Sequence, residues 1–579
     1  MNLAAVNSAF LRRRPLSGAL FWTAVGLLLV WMGYVQVTSV RLENQTWDEG
    51  FHLAAGYAYL RTGDYRMRTE NPPLGKLLNA LPLLVLNPDP HTDDPAWQTP
   101  DRVRFGRVFL YHNRLLADAI LFPARVVTIF LSLVLALAVA LWARRQFGAG
   151  VALLACFLCC LDPNLIAHGR YVTSDVIATL FIFLACAAWT EFLNSRRKRA
   201  LVAAGIVLGL ALASKFTALT LLPVFALLYL IRWWQRAEGL SARHLVTSLL
   251  LAGMIGALVI GVVYAPDTVR LFTHPPPPVE RFADRGGLSG QLLSIIPFVK
   301  HLPAHPYLLD LLDFAEHVRT GHEAYLLGQL RRHGWWHYFL VAFAVKTPLA
   351  VLLLTAGAAV AGVGFLFRKR LLERLRAAPP QWTMVIVPPL VLFGVAMSGG
   401  HNLGLRHILP VYPFLFIAVS AAVLGLASGR RRALVAGLLV VVVSLEILES
   451  VKIHPHYLAF FNLAAGGPEA GPRYLVDSNI DWGQDLKKLK AYMLAHELPY
   501  VCLCYFGNAS VRYYKVRERN IPGAQDLEGR ANLDCVVAIS ATPLQGVYVA
   551  ANMYRWLRAL QPTARIGYSI YVYDLRKRR

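Results

Sequence analysis

The run Ala19 to Val37, ALFWTAVGLLLVWMGYVQV, carries no charged side chain and is long enough to cross a bilayer as one helix. It lacks the small-residue cleavage pattern of a removable signal peptide, so it reads as a retained span. Working outward from it, further apolar runs fall at about 118 to 142, 148 to 165, 173 to 193, 200 to 214, 217 to 232, 245 to 264, 343 to 366, 382 to 397, 406 to 427 and 433 to 451. The expected fold class is therefore a mainly α, polytopic membrane protein with about 11 transmembrane helices. Of 579 residues, 56% are apolar and only 16% charged, and the mean hydropathy is +0.46, which excludes an ordinary soluble globule.

A net charge of +24 would point to nucleic acid in a soluble chain, but here the basic residues fall between the spans. Arg12 to Arg14, Arg144 and Arg145, Arg196 to Arg199, Arg232 to Arg243, Arg368 to Arg376 and Arg430 to Arg432 mark short segments that the positive-inside rule assigns to the cytoplasm. Alternate threading from a cytoplasmic N-terminus places every cluster on that side, and no nucleic-acid partner is needed. The same threading puts residues 38–117, residues 265–342 and everything after Val451 outside. Residues 1–451 then form the membrane domain and 452–579 a soluble extracytoplasmic α/β domain. The latter has strand-like runs at Tyr500 to Phe506 and Cys535 to Ile539 and helical stretches near Leu486 to His496 and Val547 to Leu560. In the first outer segment, Leu74 to Leu86 is too short to span and is expected along the membrane surface. The second opens with Pro275 to Pro278 and continues through the amphipathic stretch Tyr307 to Val318. Cys156, Cys159, Cys160 and Cys186 lie in apolar runs as packing residues, while Cys535 can pair with Cys502 or Cys504 in an oxidising compartment.

The outer segments carry the polar chemistry. Thr46-Trp47-Asp48-Glu49-Gly50-Phe51-His52 places two adjacent carboxylates just beyond the first span. Glu70-Asn71-Pro72-Pro73-Leu74-Gly75-Lys76 holds a lysine near the headgroup layer, suited either to snorkelling or to gripping a lipid phosphate. His168-Gly169-Arg170-Tyr171-Val172-Thr173-Ser174-Asp175 sets an arginine and an aspartate at the mouth of the fourth span, where they either pair with each other or meet substrate. Lys215 and Lys346 fall at other outer helix ends, positions that also suit plain interface anchors. Gly399-Gly400-His401-Asn402-Leu403-Gly404-Leu405-Arg406-His407 groups three potentially cationic side chains in one short loop, and its glycines let the backbone approach a ligand. Its histidines are spaced poorly for a metal and better for an anion. In the tail, Asp477, Asp481 and Asp485 lack the spacing of a calcium loop and suit helix-cap or packing roles.

Together these motifs resemble the dolichyl-phosphate-mannose protein mannosyltransferases, glycosyltransferase family 39 of the GT-C fold, and especially its bacterial members that use polyprenyl-phosphate sugars. Asp48-Glu49 matches the family's acidic pair, Asn71 to Lys76 looks like its Pro-Pro-Leu-x-Lys element, and His168 to Asp175 looks like the opening of its fourth helix. Asp477-Ser478-Asn479-Ile480-Asp481-Trp482-Gly483-Gln484-Asp485 and Gly567-Tyr568-Ser569-Ile570-Tyr571 are similar to tail strings of the bacterial members. Residues 265–342 are too short for the β-trefoil module of eukaryotic members, and the similarly planned aminoarabinose transferases act on a lipid acceptor. The acceptor is thus left open among protein, lipid and glycan.

The resemblance implies an inverting hexosyl- or pentosyltransferase of the bacterial inner membrane, its site facing outward. Asp48 is expected as general base, and Glu49, Lys76, Arg170, Asp175, Lys346, His401, Arg406 and His407 as substrate-binding groups. The partners implied are a polyprenyl-phosphate-linked sugar and the bilayer. No cofactor is demanded by the chemistry, and a divalent metal is left undecided. The rival from another class is a transporter or flippase of lipid-linked substrates, since polar groups near helix ends also line permeation paths.

Overall fold

The computed structural model describes residues 18–576 except 69–70, 237–238, 274–286, 297, 300–301, 368–370, 428–430, 522–533 and 551–552. Arg12 to Arg14, Glu70, Pro275 to Pro278, Arg368 and Arg430, all named above, lie outside the described residues.

The helices that build the bundle are α1 (Gly18–Val40), α2 (Glu49–Thr62), α3 (Leu74–Ala80), α4 (Arg102–Tyr111), α5 (Ala117–Phe147), α6 (Ala149–Leu161), α7 (Asp175–Ser195), α8 (Lys198–Leu212), α9 (Leu221–Trp234), α10 (Ala242–Val263), α11 (His305–Thr320), α12 (Tyr338–Lys346), α13 (Leu349–Leu366), α14 (Pro380–Ser398), α15 (Tyr412–Gly425) and α16 (Arg431–Lys452). Among the described residues, eight helical segments are long and apolar enough to cross a membrane. The pair α12 and α13 makes a ninth if it is one span, bent by 119°. The bend falls at Thr347-Pro348, where proline forces the residue before it into extended backbone.

Each of the expected apolar runs coincides with helix, but the count of 11 full spans is not confirmed. α6 and α8 have 13 and 15 residues. At 1.5 Å per residue they reach only about 20 to 23 Å, short of a hydrocarbon core about 30 Å thick. Outward apolar surface marks the chain as an integral membrane protein. On α10, Val246, Leu250, Met254, Leu258 and Val262 repeat every fourth residue and are each more than half exposed, a stripe that only lipid satisfies.

α7 and α15 run through the middle, and α7 packs against both α5 and α8. The surface helix expected over Leu74 to Leu86 is divided into α3 and a single turn, Leu83–Leu86, by Pro82. The amphipathic stretch around Tyr307 to Val318 is α11.

In the tail, α17 (Leu486–Ala495) precedes a five-stranded sheet of β1 (Val501–Cys504), β2 (Glu518–Asn520), β3 (Val536–Ser540), β4 (Ala564–Ile566) and β5 (Ile570–Asp574). The order is β2-β1-β3-β5-β4, with β1 parallel to both neighbours and β5 antiparallel to both of its own. Cys535 pairs with Cys502 rather than Cys504. The helix expected over Val547 to Leu560 shrinks to one turn, Arg555–Arg558. The two tail strings meet, since Ser569 Oγ donates to Asp485 Oδ2 at 2.7 Å. Gly567, at φ +60°, lies where a Cβ would come within 2.2 Å of that same carboxylate.

The tail is seated on the bundle by buried hydrogen bonds. Asn44, in the turn after α1, accepts from Leu486 N at 2.7 Å and donates to Gly483 O at 2.6 Å. The Trp47 N–H donates to Trp482 O at 2.9 Å, so the segment leading into α2 is held by tail backbone.

Candidate active site

A cavity of about 990 Å³ opens where the helix ends, the loops between them and the tail converge. Asp48 lies on its wall as the residue before α2. Its side chain makes no cap hydrogen bond and instead receives Arg406 Nη1 at 3.0 Å on Oδ2. Arg406 stands at the start of the 3-10 turn Leu405–Val411 that leads into α15, with its guanidinium 4.4 Å above the Trp482 ring. The same Nη1 is 3.9 Å from Asp175 Oδ2, and Asp175 Oδ1 accepts from Lys215 Nζ at 2.5 Å. Asp48, Arg406, Asp175 and Lys215 thus form a line of alternating charge on one wall. Arg406 Nε is buried with no hydrogen-bond partner among the described residues, a donor left over after its carboxylates are served.

Imidazoles from three segments meet beside this line. Ring centroids of His317 and His401 are 4.8 Å apart, those of His401 and His407 4.9 Å, and those of His317 and His322 5.4 Å. Burial, with His317 and Arg406 nearby, holds His401 well below the ordinary imidazole range. Burial followed by Lys76 and Arg102 does the same to His52. Among the described residues no group of three or more His, Cys, Asp or Glu is placed to hold a metal ion. Away from the charges, Leu219 and the α14 residues Leu392, Val395 and Ala396 give the cavity an apolar wall reaching down the spanning helices.

Of the residues singled out in sequence, Asp48, Asp175, His401, Arg406 and His407 line this cavity. The other four do not, and each has a physical reason. Glu49 is fully buried and absent from the cavity lining. Its Oε1 accepts from Arg125 Nε at 2.8 Å and Val172 N at 3.0 Å, and its Oε2 from Arg125 Nη2 at 2.6 Å and Thr46 N at 2.8 Å. Arg170 is equally buried and pairs with Glu43 at 3.1 Å, not with Asp175. Lys346 turns toward the tail, where Nζ donates to Leu458 O at 2.9 Å and to Asn479 O. Lys76 Nζ donates to Asn71 O at 2.6 Å. It borders a small pocket that shares His52, Asn71, Thr173 and Ser174 with the main cavity.

Gly404 makes room for protein rather than ligand: a Cβ there would stand 2.5 Å from Ser478 Oγ, and Ser478 Oγ donates to Leu403 O at 2.6 Å, whereas Gly399 lines the cavity. Sequence reasoning missed Arg125, which donates to Val40 O, Glu43 O and Asn44 O as well as to Glu49. It also gave no site role to His52, Lys215, His317, His322, Asp477 or Trp482, all of which line the cavity.

Comparison with solved structures returns ArnT from Cupriavidus metallidurans in the apo state, at 15% identity and TM-score 0.47, covering 97% of this chain and 100% of that one. ArnT from the same organism bound to undecaprenyl phosphate matches at 14% identity and TM-score 0.45 over the same shares of both chains. The oligosaccharyltransferase of Archaeoglobus fulgidus in the apo form matches at 13% identity and TM-score 0.46, covering 83% of this chain and 58% of that one. No curated protein matches. Residues 113–264, which include Arg125, Arg170, Asp175 and Lys215, match the model of the dolichyl-phosphate-mannose-protein mannosyltransferases, and this is the glycosyltransferase family that the loop motifs resemble.

Proposed function

We propose that the chain moves a sugar from a polyprenyl-phosphate donor to an acceptor hydroxyl by a single inverting displacement on the extracytoplasmic face of its membrane. The observation that carries this reading is the 3.0 Å pairing of Asp48 with Arg406 on the wall of a large cavity that has both a cationic and an apolar side. In the reaction the acceptor oxygen attacks the anomeric carbon and its proton passes to Asp48. The bond from that carbon to the phosphate oxygen breaks, and the electron pair leaves with the lipid phosphate. Arg406, through its unused Nε, and Lys215 stand where the departing phosphate gathers charge, and the low-dielectric setting strengthens each contact. The wall from Leu219 and α14 suits the isoprenoid chain.

The orientation is supported by where the charges fall along the helices. Asp175 opens α7 and Arg196 to Arg199 follow its end, while Arg406 precedes α15 and Arg431 and Arg432 lie beyond it. The cavity therefore lies at the helix ends opposite the arginine-rich segments, which the positive-inside rule assigns to the cytoplasm. No divalent metal is required by a leaving group that departs as a stable anion.

The test is to incubate the purified chain with a panel of radiolabelled undecaprenyl-phosphate sugars and bacterial membrane extract. Transfer with inversion at the anomeric carbon, read by NMR of the product, is the expected result. Retention of configuration, or no consumption of any donor, would overturn the proposal.

A further inference from the structure

We infer that Trp482, in the tail string Asp477 to Asp485, is a positioning residue that holds Arg406 against Asp48 and so ties the tail to the transfer step. This inference rests on the transferase reading above. The tryptophan touches three of the loop motifs at once. Its carbonyl accepts the Trp47 N–H at 2.9 Å, one residue before Asp48. Its ring face lies 4.4 Å below the Arg406 guanidinium. Its ring also packs edge-to-face with His168 and Tyr171, at 6.1 and 6.0 Å between centroids with planes 65° and 89° apart.

The neighbours of Trp482 grip the same two segments by their backbones. Asn479 Oδ1 accepts from Leu405 N at 3.0 Å and Ser478 Oγ donates to Leu403 O at 2.6 Å, so the chain is held on both sides of Gly404, just before Arg406. Gly483 O accepts from Asn44 Nδ2 at 2.6 Å and Gln484 O from Asn44 N at 3.2 Å, three residues ahead of Trp47. Trp482 itself is 2% exposed, and its own N–H donates to Gln484 Oε1 at 2.8 Å. One short run of the tail is thus the common reference against which the cation and the proposed base are both set.

Arg406 needs such a wall because two carboxylates share it. Nη1 is 3.0 Å from Asp48 Oδ2 and 3.9 Å from Asp175 Oδ2. A long side chain between two like charges is settled by geometry, and the ring face confines the guanidinium to the arrangement in which Nη1 serves Asp48 and Nε is left over. Without the ring, the side chain regains rotamers that carry it toward Asp175. The orientation of the Asp48 carboxylate and the donor offered to the departing phosphate are then lost together. With a face covered by Arg406, Trp482 acts through that cation and not on the reacting atoms.

The test is a double-mutant cycle on the full chain in nanodiscs, with transfer read from radiolabelled undecaprenyl-phosphate sugars and bacterial membrane extract. Trp482→Leu should lower apparent kcat about tenfold, the size of a desolvated cation–π contact, while KM for the donor stays within about twofold, since Arg406 is needed most as charge develops. Trp482→Phe, which keeps a weaker ring face, should lie between the two. In an Arg406→Gln background the change to leucine should alter kcat by less than about twofold, because the group it acts through is gone. A role in folding alone predicts the same loss in both backgrounds, tracking a lowered melting temperature. That result, or wild-type kcat in Trp482→Leu, would overturn the positioning role and leave the transferase standing. Should Trp482→Leu not fold, Trp482→Phe carries the same cycle: a loss of about threefold that vanishes in Arg406→Gln is expected, and one that persists there refutes the inference. No transfer by the wild type from any donor would overturn the transferase reading and this inference with it.

Discussion

Adjacent residues at a helix start diverge by about 100° around the axis. At the opening of α2 this sends Asp48 into the cavity and Glu49 down onto Arg125. The two carboxylates therefore predict different mutant behaviour. Asp48→Asn removes a proton acceptor but leaves the segment's packing intact. Turnover should fall by about two to four orders of magnitude, with undecaprenyl-phosphate binding and melting temperature unchanged; a variant that still turns over at the wild-type rate removes Asp48 from the base role. Glu49→Gln instead leaves the Arg125 guanidinium, 3% exposed, without its counter-charge, which costs about 3 to 5 kcal/mol. Low yield and a lowered melting temperature are expected, and normal stability in that variant would refute the structural role. The sequence made the acidic pair legible but not the division of labour within it, because the partners that separate the two, Arg406 for Asp48 and Arg125 for Glu49, lie far along the chain. Arg125 had a signal of its own: an ionisable residue inside an apolar span implies a buried partner.

Packing between elements explains why the segment carrying Asp48 keeps its place. α2 crosses α3 so closely that a Cβ on Gly56 would stand 2.2 Å from the Lys76 carbonyl oxygen, a backbone atom that cannot rotate away. Gly56→Ala should push α3 and Lys76 outward, lowering both transfer and melting temperature. Gly26→Ala on α1 has nothing within 4 Å and should be neutral or stabilising by up to about 1 kcal/mol. Equal melting temperatures for the two variants would show that the α2 and α3 contact does not constrain the fold. At this scale the sequence was most informative, since apolar run length alone located every helix of the bundle that spans. It was less so where length and packing disagree. α6 and α8 are too short to span yet are held between longer helices, and the bend at Pro348 lies hidden in an apolar run that reads as continuous. In the tail, the expected helix over Val547 to Leu560 gives way to the loop that carries Tyr548 to the cavity.

Across the whole molecule, the tail and the bundle share one polar seam, and its titration should be visible in stability. Asp481 is buried in the tail, where loss of solvent outweighs the N–H groups of Thr542 and Gly483 and raises its carboxyl to about 8. Burial lowers His456 to about 4 and His168 to about 3, each with neighbouring lysine or arginine adding to the effect. A depressed imidazole binds fewer protons folded than unfolded, so the histidines add stability as pH rises from about 4 to about 6.5, where their contribution is complete. A raised carboxyl binds more protons folded than unfolded, so Asp481 costs stability progressively as pH rises from about 4 to about 8. Between about 6.5 and 8 the histidine contribution is flat and the Asp481 cost still grows. Asp481 should therefore add a downward slope to the melting temperature of the wild type over that interval, read as its difference from Asp481→Asn. Asp481→Asn, neutral at every pH, should decline less, and measurement of both proteins by intrinsic fluorescence at pH 6.5, 7.25 and 8 compares the slopes directly. Identical slopes would mean that Asp481 is ionised throughout and that the seam is wetter than its burial implies. Because Trp482, the next residue, holds the Trp47 N–H beside Asp48, ionisation of Asp481 should also lower transfer activity over the same interval. In Asp481→Asn that part of the activity loss should shrink along with the stability slope.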